Sequence, residues 1–266
     1  MLKQRILTAI ILIPCFLLLL FFLPPTGFLL LTALMVVAAS SEWSRLMGLS
    51  TRKARLVYVI LTVLLGAIVL FLPAMTVIGI GAVWWLVAVV LLFLYPRPAS
   101  PLWQKGLIGW LVLLPCWVAV NYIRNQPEGL PALLFLLVLI WGADSAAYFV
   151  GKAWGKHKLA PKISPGKSIE GAIGALVFGL IWCAIVLYFF HINVEPSVWI
   201  GSILLTLLTV VFSIIGDLFE SMMKRAVNIK DSGSILPGHG GVLDRIDSLT
   251  AAAPVFVLFA WWLSRG

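Results

Sequence analysis

The chain has 266 residues, 62% of them hydrophobic and only 11% charged, with a mean hydropathy of +1.10. Soluble domains carry about a quarter of their residues as Asp, Glu, Lys or Arg, so this composition excludes an ordinary soluble domain, and its apolar content excludes disorder. The formal net charge is +9, from 19 Lys and Arg against 10 Asp and Glu.

A helix that crosses a bilayer needs about 20 mostly apolar residues. Such runs are predicted over 6–23, 28–44, 56–72, 76–95, 107–123, 130–150, 171–190, 198–216 and 249–263. The last is short unless its helix begins earlier, between Asp244 and Ser248. The runs are continuous rather than alternating, which favours helices over a β-barrel. The expected fold is an all-α polytopic membrane protein with about nine transmembrane helices. Cytoplasmic connections retain Lys and Arg. With the N-terminus inside, only Arg124 and Arg265 of the 19 basic residues fall outside, which predicts a cytoplasmic N-terminus and an external C-terminus. Lys3 and Arg5 precede the first run, but Pro24-Pro25-Thr26-Gly27 leads straight into the second with no small-residue cleavage site, so a retained first helix is expected. Cys15, Cys116 and Cys183 lie in separate spans without metal spacing, as small core residues would.

Residues 1–129 read as a transmembrane scaffold of about five helices. Residues 130–266 read as the catalytic transmembrane region, with two long cytoplasmic connections at 151–170 and 217–248. Eight of the ten carboxylates fall on the cytoplasmic half, only Glu128 and Glu195 outside, and Asp144, Asp217, Glu220, Asp231, Asp244 and Asp247 lie in or beside the sixth span and the final connection. Asp144 stands inside an apolar run, where a carboxylate costs several kcal/mol unless it has a partner or faces water. In the first connection, five lysines offer a docking surface for phosphates. Gly166-Lys167-Ser168 resembles the end of a Walker A loop, but Pro161 stands where that loop needs its first glycine. What is left is a glycine-containing turn before a helix start, where free N–H groups and Lys167 could hold a phosphate. Further on, Asp217, Ser221 and Lys224 share one helical face by their spacing, while the adjacent Arg225 points elsewhere. Asp244 and Asp247 meet on one face if the final helix begins there. Carboxylates beside lysines at a membrane surface suit Mg²⁺, which is usually held by one or two carboxylates together with substrate phosphates. The glycines flanking His239 permit close approach of backbone to phosphate.

The run from Ser221 to Asp247 carries Ser221-x-x-Lys224-Arg225, then Lys230-Asp231, then His239-Gly240-Gly241-x-x-Asp244-Arg245-x-Asp247. It closely resembles the signature of the CDP-diacylglycerol synthase (phosphatidate cytidylyltransferase) family of bacteria. Trp141-Gly142-Ala143-Asp144 and the stretch from Gly155 to Lys167 resemble the same family, and Ser168 stands where its pattern leads one to expect Thr. The resemblance implies that CTP and phosphatidate form CDP-diacylglycerol and pyrophosphate at the cytoplasmic face of the inner membrane. It implies Mg²⁺, with K⁺ as the candidate second ion, membrane lipid as a further partner, a homodimer and no nucleic acid. On its matching positions, Asp217 and Asp244 are the expected metal ligands and Asp247, Lys224, His239 and Asp144 the catalytic group. Ser221, Arg225, Lys167, Ser164, Lys156, Lys230, Arg245, Gly240 and Gly241 are the expected substrate contacts.

Three rivals are weighed. A CDP-alcohol phosphotransferase requires wider Asp spacing than Gly241-x-x-Asp244-x-x-Asp247 supplies. A cytidylyltransferase for another lipid phosphate would share the motif. A proton-coupled transporter would use Asp144 but leave the residues around His239 unexplained.

Overall fold

The apolar runs become helices wherever their residues are described. The computed structural model of the protein describes residues 14–96, 100–189, 195–235 and 240–265. In chain order these hold α1 over 14–22, α2 Pro25–Leu46, α3 Arg52–Val69, α4 Ala74–Phe93, α5 Leu102–Arg124, α6 Gly129–Trp154, α7 Ile169–Phe189, α8 Pro196–Ala226 and α9 Leu243–Leu263. The expected first span is therefore described only from residue 14. His239 lies outside the described residues.

The all-α expectation needs one correction. After α6 the chain forms an antiparallel hairpin of β1 Lys158–Ala160 and β2 Ser164–Ser168, pairing Lys158 with Ser168 and Ala160 with Ser164. It is anchored at its base by the Glu170 carboxylate, which accepts the backbone N–H of Lys156 at 3.1 Å and of His157 at 3.2 Å. These strands are too short for an alternating pattern to show in the sequence.

Local chemistry sets several helix ends. Pro25 and Pro196 open α2 and α8, where a missing N–H costs nothing. The Thr51 hydroxyl caps α3 by accepting the Ala54 N–H at 3.2 Å. Ser168 does the same for α7 through the Gly171 N–H at 3.1 Å. The final helix does begin early, at Leu243, and so reaches 21 residues. With 31 residues, α8 is about 46 Å long at about 1.5 Å per residue, against about 30 Å of hydrocarbon. It has length enough to carry Asp217 to Ala226 beyond the apolar layer.

Among the described residues, seven helices, α2 and α4 through α9, are long and apolar enough to cross a membrane. The 18-residue α3 opens on Arg52, Lys53 and Arg55, which lowers its hydropathy. Beyond that turn, Leu56, Ile60, Leu64 and Ile68, four residues apart, form an exposed apolar stripe.

Helices from both halves share their cores. Trp43 of α2, Trp85 of α4, Phe219 and Met222 of α8 and Leu243 of α9 are all buried in one cluster. Trp85 meets Phe219 edge to face at 5.5 Å and donates its indole N–H to the Thr250 carbonyl at 3.0 Å. Helices α2, α4 and α5 of the first half thus pack against α8 and α9 beneath their polar ends.

Candidate active site

The last turns of α8, the first turn of α9, the middle of α6 and the hairpin converge on one polar cluster. At its centre is Lys224, whose ammonium donates to Glu220 at 2.7 Å and to Asp244 at 2.8 Å. All three side chains are nearly buried, at 13%, 4% and 7% exposure. A second cation, Lys167 of β2, pairs with Asp217 at 2.5 Å, and the Ser221 hydroxyl donates to the other Asp217 oxygen at 3.4 Å. The predicted shared face of Asp217, Ser221 and Lys224 is thus the face that looks into the cluster.

The N-terminus of α9 is held from two directions. Asp244 accepts the backbone N–H of Gly241 at 2.7 Å and of Ser232 at 3.0 Å, folding the preceding loop against the helix. Gly240 takes a left-handed φ of +83° on that approach, a conformation that costs glycine little. Glu42, from α2, is only 1% exposed and accepts the N–H groups of Val242 at 3.0 Å and Leu243 at 2.8 Å and the Ser232 hydroxyl at 3.4 Å. A carboxylate here satisfies otherwise unpaired N–H groups and complements the positive helix end. Glu42 was absent from the expected site residues. The signal that finds it is the one that singled out Asp144: a carboxylate inside an apolar span needs a partner.

Asp144 and Asp247 meet across Ser248, whose hydroxyl donates to Asp144 at 3.2 Å and whose N–H donates to Asp247 at 2.8 Å. Asp217 and Glu220 also lie within electrostatic reach of Asp247. Close approach of α8 to α9 makes this possible: a Cβ on Gly216 would come within 2.5 Å of the Asp247 carbonyl oxygen. Gly216→Val is expected to push the two helices apart, costing about 1–3 kcal/mol and most of the activity. Thermal unfolding in detergent and product formation measure both, with Gly216→Ala intermediate.

The remaining expected contacts are dispersed. Arg225 is exposed and donates through Nε to the Ile163 carbonyl at 3.3 Å, tying the end of α8 to the hairpin. Ser164 opens β2 half-buried, and Lys156, Lys230 and Arg245 are exposed, none of these cations paired with a described carboxylate. The three cysteines are free.

Among the described residues, no group of three or more His, Cys, Asp or Glu is arranged to hold a metal ion. The cluster nevertheless sets five carboxylates, Asp144, Asp217, Glu220, Asp244 and Asp247, against Lys167, Lys224 and the nearby Arg245. Glu220 Oε1 is buried, with no hydrogen-bond partner among the described residues. This hard-oxygen set, negative on balance, fits an ion such as Mg²⁺ that takes one or two carboxylates and completes its shell with phosphates. Asp217 and Asp244 are held by lysines here, so an ion on them would exchange with those ammonium groups.

The chain is similar to known proteins over nearly its whole length. The chain is 44% identical over 270 residues to phosphatidate cytidylyltransferase of Pseudomonas aeruginosa, covering 98% of this chain and 97% of the relative. It is 39% identical over 291 residues to the Haemophilus influenzae protein of that name, covering 99% and 100%, and 41% identical over 175 residues to that of Bacillus subtilis, covering 64% of each. The sequence profile of the cytidylyltransferase family matches residues 3–263, and the chain belongs to that family.

Proposed function

We propose that this protein transfers the cytidylyl group of CTP to phosphatidate, forming CDP-diacylglycerol and pyrophosphate. The observation that carries this reading is 44% identity, over nearly the full length of both chains, to a protein named phosphatidate cytidylyltransferase. The transporter and CDP-alcohol phosphotransferase readings gain no support from these relatives.

In the proposed reaction a phosphatidate phosphate oxygen attacks the α-phosphorus of CTP in line. The new P–O bond forms as the bond from the α-phosphorus to the bridging oxygen breaks, and that oxygen leaves with pyrophosphate. The attacking group is already an anion, so charge neutralisation and alignment matter more than a strong base. Mg²⁺ bound through Asp217 and Asp244, with K⁺ at a second position, would neutralise phosphate charge and polarise the phosphorus. Asp247 and Asp144 would complete or orient that ligand set. Lys224, Lys167, Ser221 and Arg225 would hold phosphate oxygens, with His239 as a further contact; Ser164, Lys156, Lys230, Arg245 and the backbone at Gly240 and Gly241 would guide the nucleotide in.

The reading includes nine spans, a cytoplasmic N-terminus and site, an external C-terminus and a homodimer in a bacterial inner membrane. The exposed stripe on α3 supports counting that helix as a span, and the one-sided distribution of basic residues supports the orientation.

Purified protein given labelled CTP and phosphatidate is expected to make labelled CDP-diacylglycerol only with a divalent cation. Asp244→Asn should lower the rate by about 100-fold or more, while Lys53→Ala, remote from the cluster, leaves it unchanged. Product formed in excess chelator, or a fully active Asp244→Asn, would refute the metal assignment.

A further inference from the structure

A second polar cleft opens between the α2–α3 connection and the segment that follows α8. It is open to solvent and has Arg45, Ser50, Arg55, Asp231, Ser232 and Ser234 on its walls. No described carboxylate pairs with either arginine. Arg55 donates its Nε–H to the Leu49 carbonyl at 2.7 Å, which orients the guanidinium and leaves its terminal N–H groups for a ligand. Arg45 stands in the last turn of α2, where a cation is favoured by the helix dipole alone. Arg55 has no such explanation: it stands in the first turn of α3, the end that disfavours cations.

The cleft shares a wall with the carboxylate cluster. Ser232 lines it while donating its N–H to Asp244 and its hydroxyl to Glu42. An anion in the cleft would therefore be separated from Asp244 by the thickness of one residue. In the cluster itself, Lys167 and Lys224 are already matched to Asp217, Glu220 and Asp244. The arginines, opposed by Asp231 as the one carboxylate among the described residues of the cleft, supply the planar, bidentate donors that suit phosphate.

We propose that this cleft is a second phosphate-binding site, in which Arg45 and Arg55 take the β- and γ-phosphates of CTP and then the departing pyrophosphate. The inference rests on the cytidylyl-transfer reading above and adds two residues that lie outside its sequence signature.

The test is steady-state kinetics of Arg45→Gln, Arg55→Gln and the double variant, with pyrophosphate-dependent thermal stabilisation as a readout that needs no turnover. Each single variant is expected to raise the KM for CTP about tenfold, as loss of a charged hydrogen bond does, and to weaken inhibition by added pyrophosphate, with the KM for phosphatidate unchanged. Pyrophosphate should raise the unfolding temperature of the wild type and not of the double variant. Arg55→Lys, which keeps the charge but loses the planar fork, should fall between. Unchanged CTP KM and unchanged pyrophosphate stabilisation in the double variant overturn the site. A rise in the phosphatidate KM alone overturns it too, by making the cleft a lipid-phosphate site. Arginine-dependent pyrophosphate stabilisation in a wild type that makes no CDP-diacylglycerol would uphold the site and defeat the reaction assigned above.

Discussion

Lys224→Met is expected to reduce cytidylyl transfer by about two to three orders of magnitude and to destabilise the folded protein by about 3–5 kcal/mol. Both follow from its position between Glu220 and Asp244, at 2.7 and 2.8 Å, with all three side chains nearly buried. Removing the ammonium leaves two carboxylates close together in a poorly solvated place, and neither can turn to water without unpacking α8 from α9. The double variant Lys224→Met/Glu220→Gln separates the effects. Neutralising Glu220 relieves the uncompensated charge and should restore most of the unfolding temperature, while loss of the phosphate contact proposed for Lys224 should keep the enzyme inactive. Calorimetry in detergent and a label-transfer assay read the two quantities. An active double variant would show that Lys224 serves only to hold the helices together.

The second large effect is expected at a distance in sequence. Glu42→Ala should cost several kcal/mol of stability and most of the activity, although Glu42 lies on α2 among residues that otherwise read as scaffold. Its carboxylate accepts the N–H groups of Val242 and Leu243 and the Ser232 hydroxyl. Truncation leaves these donors facing a cavity, at about 1–3 kcal/mol for each one left unsatisfied. With its cap gone, the first turn of α9 loses the restraint that aims Asp244 and Asp247. Glu42→Gln keeps one oxygen acceptor but presents an amide N–H₂ to donors, so an intermediate unfolding temperature and rate are expected. A Glu42→Ala protein with wild-type rate and stability would remove Glu42 from any part in positioning the site.

Several parts of the architecture were legible in the residues. The continuous apolar runs mark the helices, because a chain in lipid must satisfy its own backbone groups. The spacing of Asp217, Ser221 and Lys224 marks one working face of α8, and the structure turns that face into the polar cluster. The start of α9 near Asp244 follows from the length a span requires. Scarcity was itself informative: of ten acids in 266 residues, six lie in or beside the sixth span and the final connection, and five of these meet in the polar cluster.

Other features were not legible. The hairpin of β1 and β2 is held by Glu170 and by pairing over a few residues, which leaves no periodic trace. The pairing of Lys167 with Asp217 and the use of the Ser168 hydroxyl to cap α7 join residues of separate elements. The cleft at Arg45 and Arg55 exists only because the α2–α3 connection comes to lie beside the segment after α8.

By itself, then, the sequence determined that this is a helical membrane protein, which stretches form its helices, and which residues must gather where apolar surface ends. Those are consequences of composition and of a local repeat of 3.6 residues. Only the tertiary structure decided what each charged group faces. Glu42 meets Val242 and Leu243 across 200 and 201 positions of chain, and Lys224 meets Asp244 across 20. Such partnerships are set by how helices pack at Gly216 and around Trp85 and Phe219, and helix packing depends on the joint shape of several faces, which no single stretch of residues encodes.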